Sequence, residues 1–155
     1  MRKMLLLLCA LGLAGVAYAD GPFAGTWKLN VAKSKLAADP DAPKAETVTV
    51  TESKDTRDVT AQGTDMNGKA FSEHFTHALS GGTVKYLEGG PTDGTTESVK
   101  VVDANTLHVT FMKDGKEVGA ERITVSPDGK TMRIVEKGTS PDGKSYSGEF
   151  VFEKQ

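Results

Sequence analysis

The sequence predicts an all-β protein, an up-and-down antiparallel β-barrel of about ten strands with one short N-terminal helical turn. Two observations carry this prediction. First, β-branched and aromatic residues alternate with polar ones with a period of two, as in Thr47-Val48-Thr49-Val50-Thr51 and Thr106-Leu107-His108-Val109-Thr110-Phe111. Second, these runs are punctuated by hairpin dipeptides: Asn67-Gly68, Asp93-Gly94, Asp114-Gly115, Asp128-Gly129 and Asp142-Gly143. The reversals recur every 10 to 14 residues or so, which suits consecutive antiparallel neighbours joined by short loops.

The chain begins with an export leader. Arg2 and Lys3 are positive, Met4 to Val16 is apolar but shorter than the roughly 20 residues of a membrane-spanning helix, and Ala17-Tyr18-Ala19 is a small-x-small cleavage pattern. Residues 1–19 are therefore read as a signal peptide cut between Ala19 and Asp20, and 20–155 as one domain, periplasmic or secreted. Cys9, the only cysteine, leaves with the leader, so the mature chain has no disulfide and no thiolate. Its place in the apolar run, behind Leu8, does not fit a lipidation signal. Removing Arg2 and Lys3 takes the formal charge from −2 to −4. A mildly acidic chain carries no electrostatic footprint for nucleic acid. No transmembrane segment is expected in the mature chain.

Strands are expected at 24–30, 45–53, 56–63, 69–78, 83–88, 95–103, 106–113, 116–126, 130–138 and 144–153. Asn30 to Leu36 reads as a short helical turn and Ala37 to Lys44, with Pro40 and Pro43, as a loop. Ser126-Pro127-Asp128-Gly129-Lys130 and Ser140-Pro141-Asp142-Gly143-Lys144 are near-copies in which proline presets the corner and glycine takes the left-handed position. A flat sheet of this many strands would expose long pairing edges, and closure removes them. A two-layer sandwich is the alternative, but sequential hairpins with few crossovers favour the barrel.

The opening Phe23-Ala24-Gly25-Thr26-Trp27-Lys28-Leu29-Asn30 resembles the first strand of the lipocalin and fatty-acid-binding-protein superfamily, in which a G-x-W element starts the barrel. The longer run Gly25-Thr26-Trp27-Lys28-Leu29-Asn30-Val31-Ala32-Lys33-Ser34-Lys35, with the D-G-K hairpins and the Glu153-Lys154-Gln155 ending, resembles small exported bacterial lipocalin-like proteins. The resemblance implies a barrel with Trp27 plugging one end and room for a cavity. Read by itself, Trp27 is a core aromatic that needs an acceptor for its N–H. One departure matters: the Arg-x-Tyr pair that holds a carboxylate in intracellular fatty-acid binders is missing from Phe150-Val151-Phe152-Glu153. Arg122 and Arg133 could supply a cation instead, or could equally face solvent.

No catalytic chemistry is legible. His74 and His77, three apart on a strand, fall on opposite faces and cannot easily share a metal. His108 lies opposite Leu107. No nucleophile elbow or phosphate loop is present. Some of the many carboxylates must come close in space, but the sequence does not choose among them.

The natural interior set is Val48, Val50, Phe71, Phe75, Tyr86, Val99, Val101, Leu107, Val109, Phe111, Ile123, Val125, Met132, Ile134, Phe150 and Phe152. From this follows the leading expectation: an exported, non-enzymatic binding protein for a small apolar or amphipathic ligand, with no cofactor and no metal. Trp27, Phe71, Phe75, Tyr86, Phe111, Arg122, Arg133 and Phe150 are the candidate ligand-binding residues. The alternative is an envelope protein-interaction or inhibitor module whose barrel is filled and takes no small ligand; any protein partner is unspecified. A purely structural envelope protein is a third reading.

Overall fold

A computed structural model describes residues 21–36, 42–140 and 143–155. The leader expected over 1–19, the cleavage junction and most of the proline loop lie outside the described residues. The strands are β1 (Gly25–Leu29), β2 (Pro43–Glu52), β3 (Thr56–Asp65), β4 (Ala70–Ala78), β5 (Gly82–Thr83), β6 (Lys85–Glu88), β7 (Thr96–Asp103), β8 (Thr106–Lys113), β9 (Lys116–Val125), β10 (Thr131–Thr139) and β11 (Ser145–Lys154). They form one antiparallel sheet in the order β5-β7-β8-β9-β10-β11-β1-β2-β3-β4-β6. The first strand meets the last, with Lys28 opposite Glu153 and Leu29 opposite Phe152.

The predicted strand 83–88 is the one the structure divides. Its first part, β5, pairs with β7, Gly82 lying opposite Val99. Its second part, β6, pairs with β4, Phe75 lying opposite Tyr86. A single stretch thus changes partner at Val84, whose N–H donates to the Glu97 carbonyl at 2.9 Å. This switch brings the two ends of the sheet together and nearly closes the barrel, while the ladder between β6 and β7 stays unmade.

The helical turn is a single 3-10 turn at Val31–Lys33, capped by the Asn30 side chain, which accepts from the Lys33 N–H at 3.2 Å. Ser34 Oγ then accepts from the Val151 N–H at 2.9 Å, and Lys35 bridges Glu149. These contacts carry the chain alongside β11, continuing the β1–β11 pairing past the turn.

Alternation sorts the side chains into an inner and an outer set. Trp27, Phe152 and Val125 are the largest side chains that are fully buried, and they pack with Phe23, Leu107 and Met132 at one end of the barrel. Trp27 Nε1 donates to the Phe23 carbonyl at 2.8 Å, which ties the N-terminal segment beneath the barrel and satisfies the buried indole. Lys154 lies over the Trp27 ring at 5.1 Å. Val101 departs from the expected interior set and is 37% exposed. It sits past the last β5–β7 pair, where β7 has lost its second neighbour.

Candidate functional site

Above the plugged end the barrel is hollow. A cavity of about 350 Å³ runs through its interior, lined by aliphatic and aromatic side chains from most of the strands. The filled barrel of the alternative expectation is therefore not what the chain builds. Nor are the large rings enough to fill it. Phe75 and Tyr86 meet at 5.3 Å between centroids in a tilted pair on one wall, and Phe111 and Phe150 stand on others.

Of the candidate residues, Phe75, Tyr86, Phe111 and Phe150 border the cavity. Trp27 does not; it is completely buried in the plug. Phe71 does not border it either, because its ring is turned onto Gly63, occupying the space a Cβ there would need. Arg122 and Arg133 are corrections of another kind. Each is the outward neighbour of an inward isoleucine, Ile123 or Ile134, so both guanidinium groups lie outside the barrel. Arg133 is held there by a bidentate pair with Glu149, at 2.6 and 2.7 Å. Neither arginine lines the lumen.

The polar groups that do line the lumen were not singled out by sequence. Glu46 on β2, Glu73 on β4, Glu97 on β7, Glu121 on β9 and Glu136 on β10 all border the cavity. Glu121 lies directly opposite Glu136 across the β9–β10 ladder. A signal for them was present: each stands two residues from an inward apolar residue. Glu46 precedes Val48, Glu73 precedes Phe75, Glu97 precedes Val99, Glu121 precedes Ile123 and Glu136 follows Ile134. Period-two parity therefore aims all five inward.

Their electrostatics follow from that enclosure. Burial, reinforced by the charge of Glu73, pushes Glu46 up to about 7. Burial, reinforced by Glu136, Glu97, Glu46 and Glu73, pushes Glu121 up to about 8. Glu121 keeps some accessible surface because it borders the lumen, and the desolvation comes from the surrounding barrel wall. Burial also raises Glu73, with Glu97 adding to it. Glu97 is raised by burial against the opposing effect of Tyr86, whose hydroxyl donates to Glu97 Oε1 at 2.6 Å. Burial and the adjoining carboxylates raise the Tyr86 phenol. That hydrogen bond spans the same β6–β7 gap that the backbone leaves open.

The basic groups sit at the other end. Arg57 and Glu52 form a buried ion pair at 2.6 Å. Glu52 also accepts from the Gly21 N–H at 3.0 Å, and the Arg57 guanidinium lies 4.4 Å above the Phe23 ring. Arg57 Nη1 is buried without a hydrogen-bond partner. His77 is beside them, its pKa lowered mainly by burial and further by Arg57, against the raising influence of its Ala78 carbonyl contact. His74 faces outward toward Asp58 at 2.9 Å, so the two histidines do occupy opposite faces. Among the described residues no cluster of three or more His, Cys, Asp or Glu side chains has metal-holding geometry. No helix among them is long and apolar enough to cross a membrane.

No protein-family model matches the chain, and no curated protein matches it in sequence. Solved structures do match. The chain is similar to the S-type phycobiliprotein lyase CPES of Guillardia theta, with a TM-score of 0.55 and 11% identity over 86% of this chain and 89% of that one. It is also similar to EF1p2_mFAP2b bound to DFHBI, with a TM-score of 0.47 and 13% identity over 86% and 94% of the two chains. A redesigned β-barrel, mFAP0, bound to DFHBI gives a TM-score of 0.39 and 18% identity over 83% and 97%. What the lyase shares with this chain is the barrel fold. That fold, with Trp27 at its plugged end, agrees with the lipocalin-like opening of the sequence.

Proposed function

We propose that this is an exported, non-enzymatic binding protein that holds a small amphipathic molecule in its lumen. The observation that carries the reading is the unfilled cavity. Its volume of about 350 Å³ lies within the range that small-molecule sites occupy, and its wall is mostly apolar with a few convergent polar groups. A structural protein gains nothing from leaving such space empty, since close packing contributes dispersion that a void forfeits. Export rests on the Arg2-Lys3, Met4–Val16 and Ala17-Tyr18-Ala19 leader.

The test is titration with N-phenyl-1-naphthylamine, an uncharged apolar fluorophore, following both probe emission and quenching of Trp27. Saturable one-to-one binding, weakened by Val109→Trp, which fills the cavity, is the expected result. Absence of saturable binding overturns the reading. Export is checked separately by the mass of the protein recovered from its host, which should begin at Asp20.

A further inference from the structure

Five carboxylates border one cavity inside the barrel, and no basic residue that lines it stands among them. Of the cavity-lining residues only Arg57 and His77 are basic. Arg57 is committed to Glu52 at the far end, and the burial of His77 favours its neutral form. Among the described residues no hydrogen-bond donor or cation engages Glu46, Glu73 or Glu121, and all three are half-buried side chains that border the lumen. An unpartnered, partly desolvated carboxylate aimed into a cavity is unfavourable unless something brings it a donor or a positive charge. The five side chains are also too dispersed to close on a metal ion, while Ile123, Ile134, Phe75 and Val109 offer an apolar wall directly beside them.

On the reading that the lumen is a binding site, we propose that its ligand is a cationic amphiphile: an organic ammonium whose charged head sits among Glu46, Glu73, Glu97, Glu121 and Glu136 and whose apolar body packs on the aliphatic and aromatic wall. The dispersed carboxylates suit a group with several N–H donors better than a compact ion demanding short, convergent ligands. The arrangement also selects against acids. A carboxylate ligand would add a sixth carboxyl group to the cluster; the arginines on β9 and β10 point away from it, and Arg57 is paired with Glu52 at the opposite end.

Protons report the same chemistry. The head group is faced by Glu46 from β2, Glu73 from β4, Tyr86 from β6, Glu97 from β7, Glu121 from β9 and Glu136 from β10, while Arg57 and His77 lie at the opposite end. An ammonium favours the ionised glutamates, so its binding displaces protons from those held partly protonated near neutral pH. Affinity for an ammonium therefore rises as pH rises through the range of about 7 to 8 set by Glu46 and Glu121. Affinity for a neutral ligand does not.

The experiment compares octylammonium, octanol and octanoate, matched in chain length, by calorimetry and by displacement of N-phenyl-1-naphthylamine at low ionic strength. Octylammonium is expected to bind at least tenfold tighter than octanol, and octanoate weakest of the three. Its affinity should strengthen at least threefold between pH 6 and pH 8. The Glu73→Gln/Glu121→Gln double variant should lose the tenfold preference, whereas Glu117→Gln, on the exposed surface, should keep it. A preference below tenfold, or tighter binding of octanoate, overturns the cationic assignment while leaving lumen binding intact. Failure of all three ligands and of the naphthylamine overturns the lumen reading itself. If the double variant fails to fold, the pH series on the native protein decides: an ammonium affinity that is flat or falls across that range is disproof.

Discussion

Glu121 in the lumen and Trp27 in the plug obey the same parity. Trp27 occupies an inward position at the plugged end, where its indole N–H finds the Phe23 carbonyl. Trp27→Ala should destabilise the protein by about 3–5 kcal/mol, because the removed ring leaves a cavity that the surrounding strands cannot collapse into. Trp27→Phe keeps most of the packing but orphans that carbonyl, for a loss of about 1–3 kcal/mol. Urea denaturation measures both; equal losses would contradict the cavity argument, and no loss in Trp27→Phe would contradict the hydrogen-bond argument. Glu52→Ala strands the buried Arg57 guanidinium, already short of one partner at Nη1, and should cost about 3–5 kcal/mol. The glutamates were as legible as the tryptophan in principle, since each sits two residues from an inward apolar side chain. Among many carboxylates, nothing in the sequence chose these five. An interior carboxylate is unfavourable for folding, and composition gives no reason to expect one.

Among the elements, the hairpins were the most legible and the closure the least. Asp114 and Gly115 both adopt positive φ, at 50° and 74°, as a two-residue turn between twisted strands demands. Gly115→Val should cost about 1–2 kcal/mol, since a β-branched residue is strained there; an unchanged urea midpoint would contradict this. The partner switch at Val84 has no comparable local signature. β5 and β6 together read as one alternating strand, and only the barrel's circumference forces the stretch to serve two neighbours. Pairing there is thin: two residue pairs join β5 to β7 and three join β6 to β4, against nine across β10–β11. Amide exchange should therefore be fastest among the strands at Lys85–Glu88 and slowest in β10 and β11. Uniform protection around the barrel would show the seam to be as tight as the rest. Tyr86→Phe, which removes the hydroxyl linking the two sides through Glu97, should accelerate exchange there further.

For the molecule as a whole, the carboxylate cluster makes stability depend on pH in an uncommon direction. An ordinary glutamate titrates near 4.5, whereas folded Glu46 lies near 7 and Glu121 near 8. The folded protein thus holds more protons than the unfolded chain across that interval, and the linkage makes stability fall as pH rises. The contribution is fully present below about 4.5 and is lost as pH climbs through the folded values. His77 works the other way: its lowered pKa favours folding as pH rises toward 6.5, so the clean window lies above it. The outward carboxylates of Asp93 and Glu149, held low by Lys113 and Arg133, act only below the ordinary carboxylate range. The Tm of the ligand-free protein should therefore decline from pH 6.5 to pH 8.5. Glu46→Gln and Glu121→Gln should flatten the slope and raise the Tm at the alkaline end. A Tm that rises across this window in the native protein would show the cluster to be solvated.

The amino-acid sequence by itself determined the antiparallel run of strands, the positions of the hairpins, the burial of Trp27 and which residues share a face. These are local properties, written in a period of two and in the positive-φ tolerance of glycine and its Asp and Asn neighbours. Only the tertiary structure decided that the sheet closes at Val84, that the lumen stays unfilled, and that five glutamates far apart along the chain face one another inside it. Those depend on how many strands wrap around and how they are staggered. Such global quantities decide which side chains, each pointing inward for its own local reason, converge on the same space.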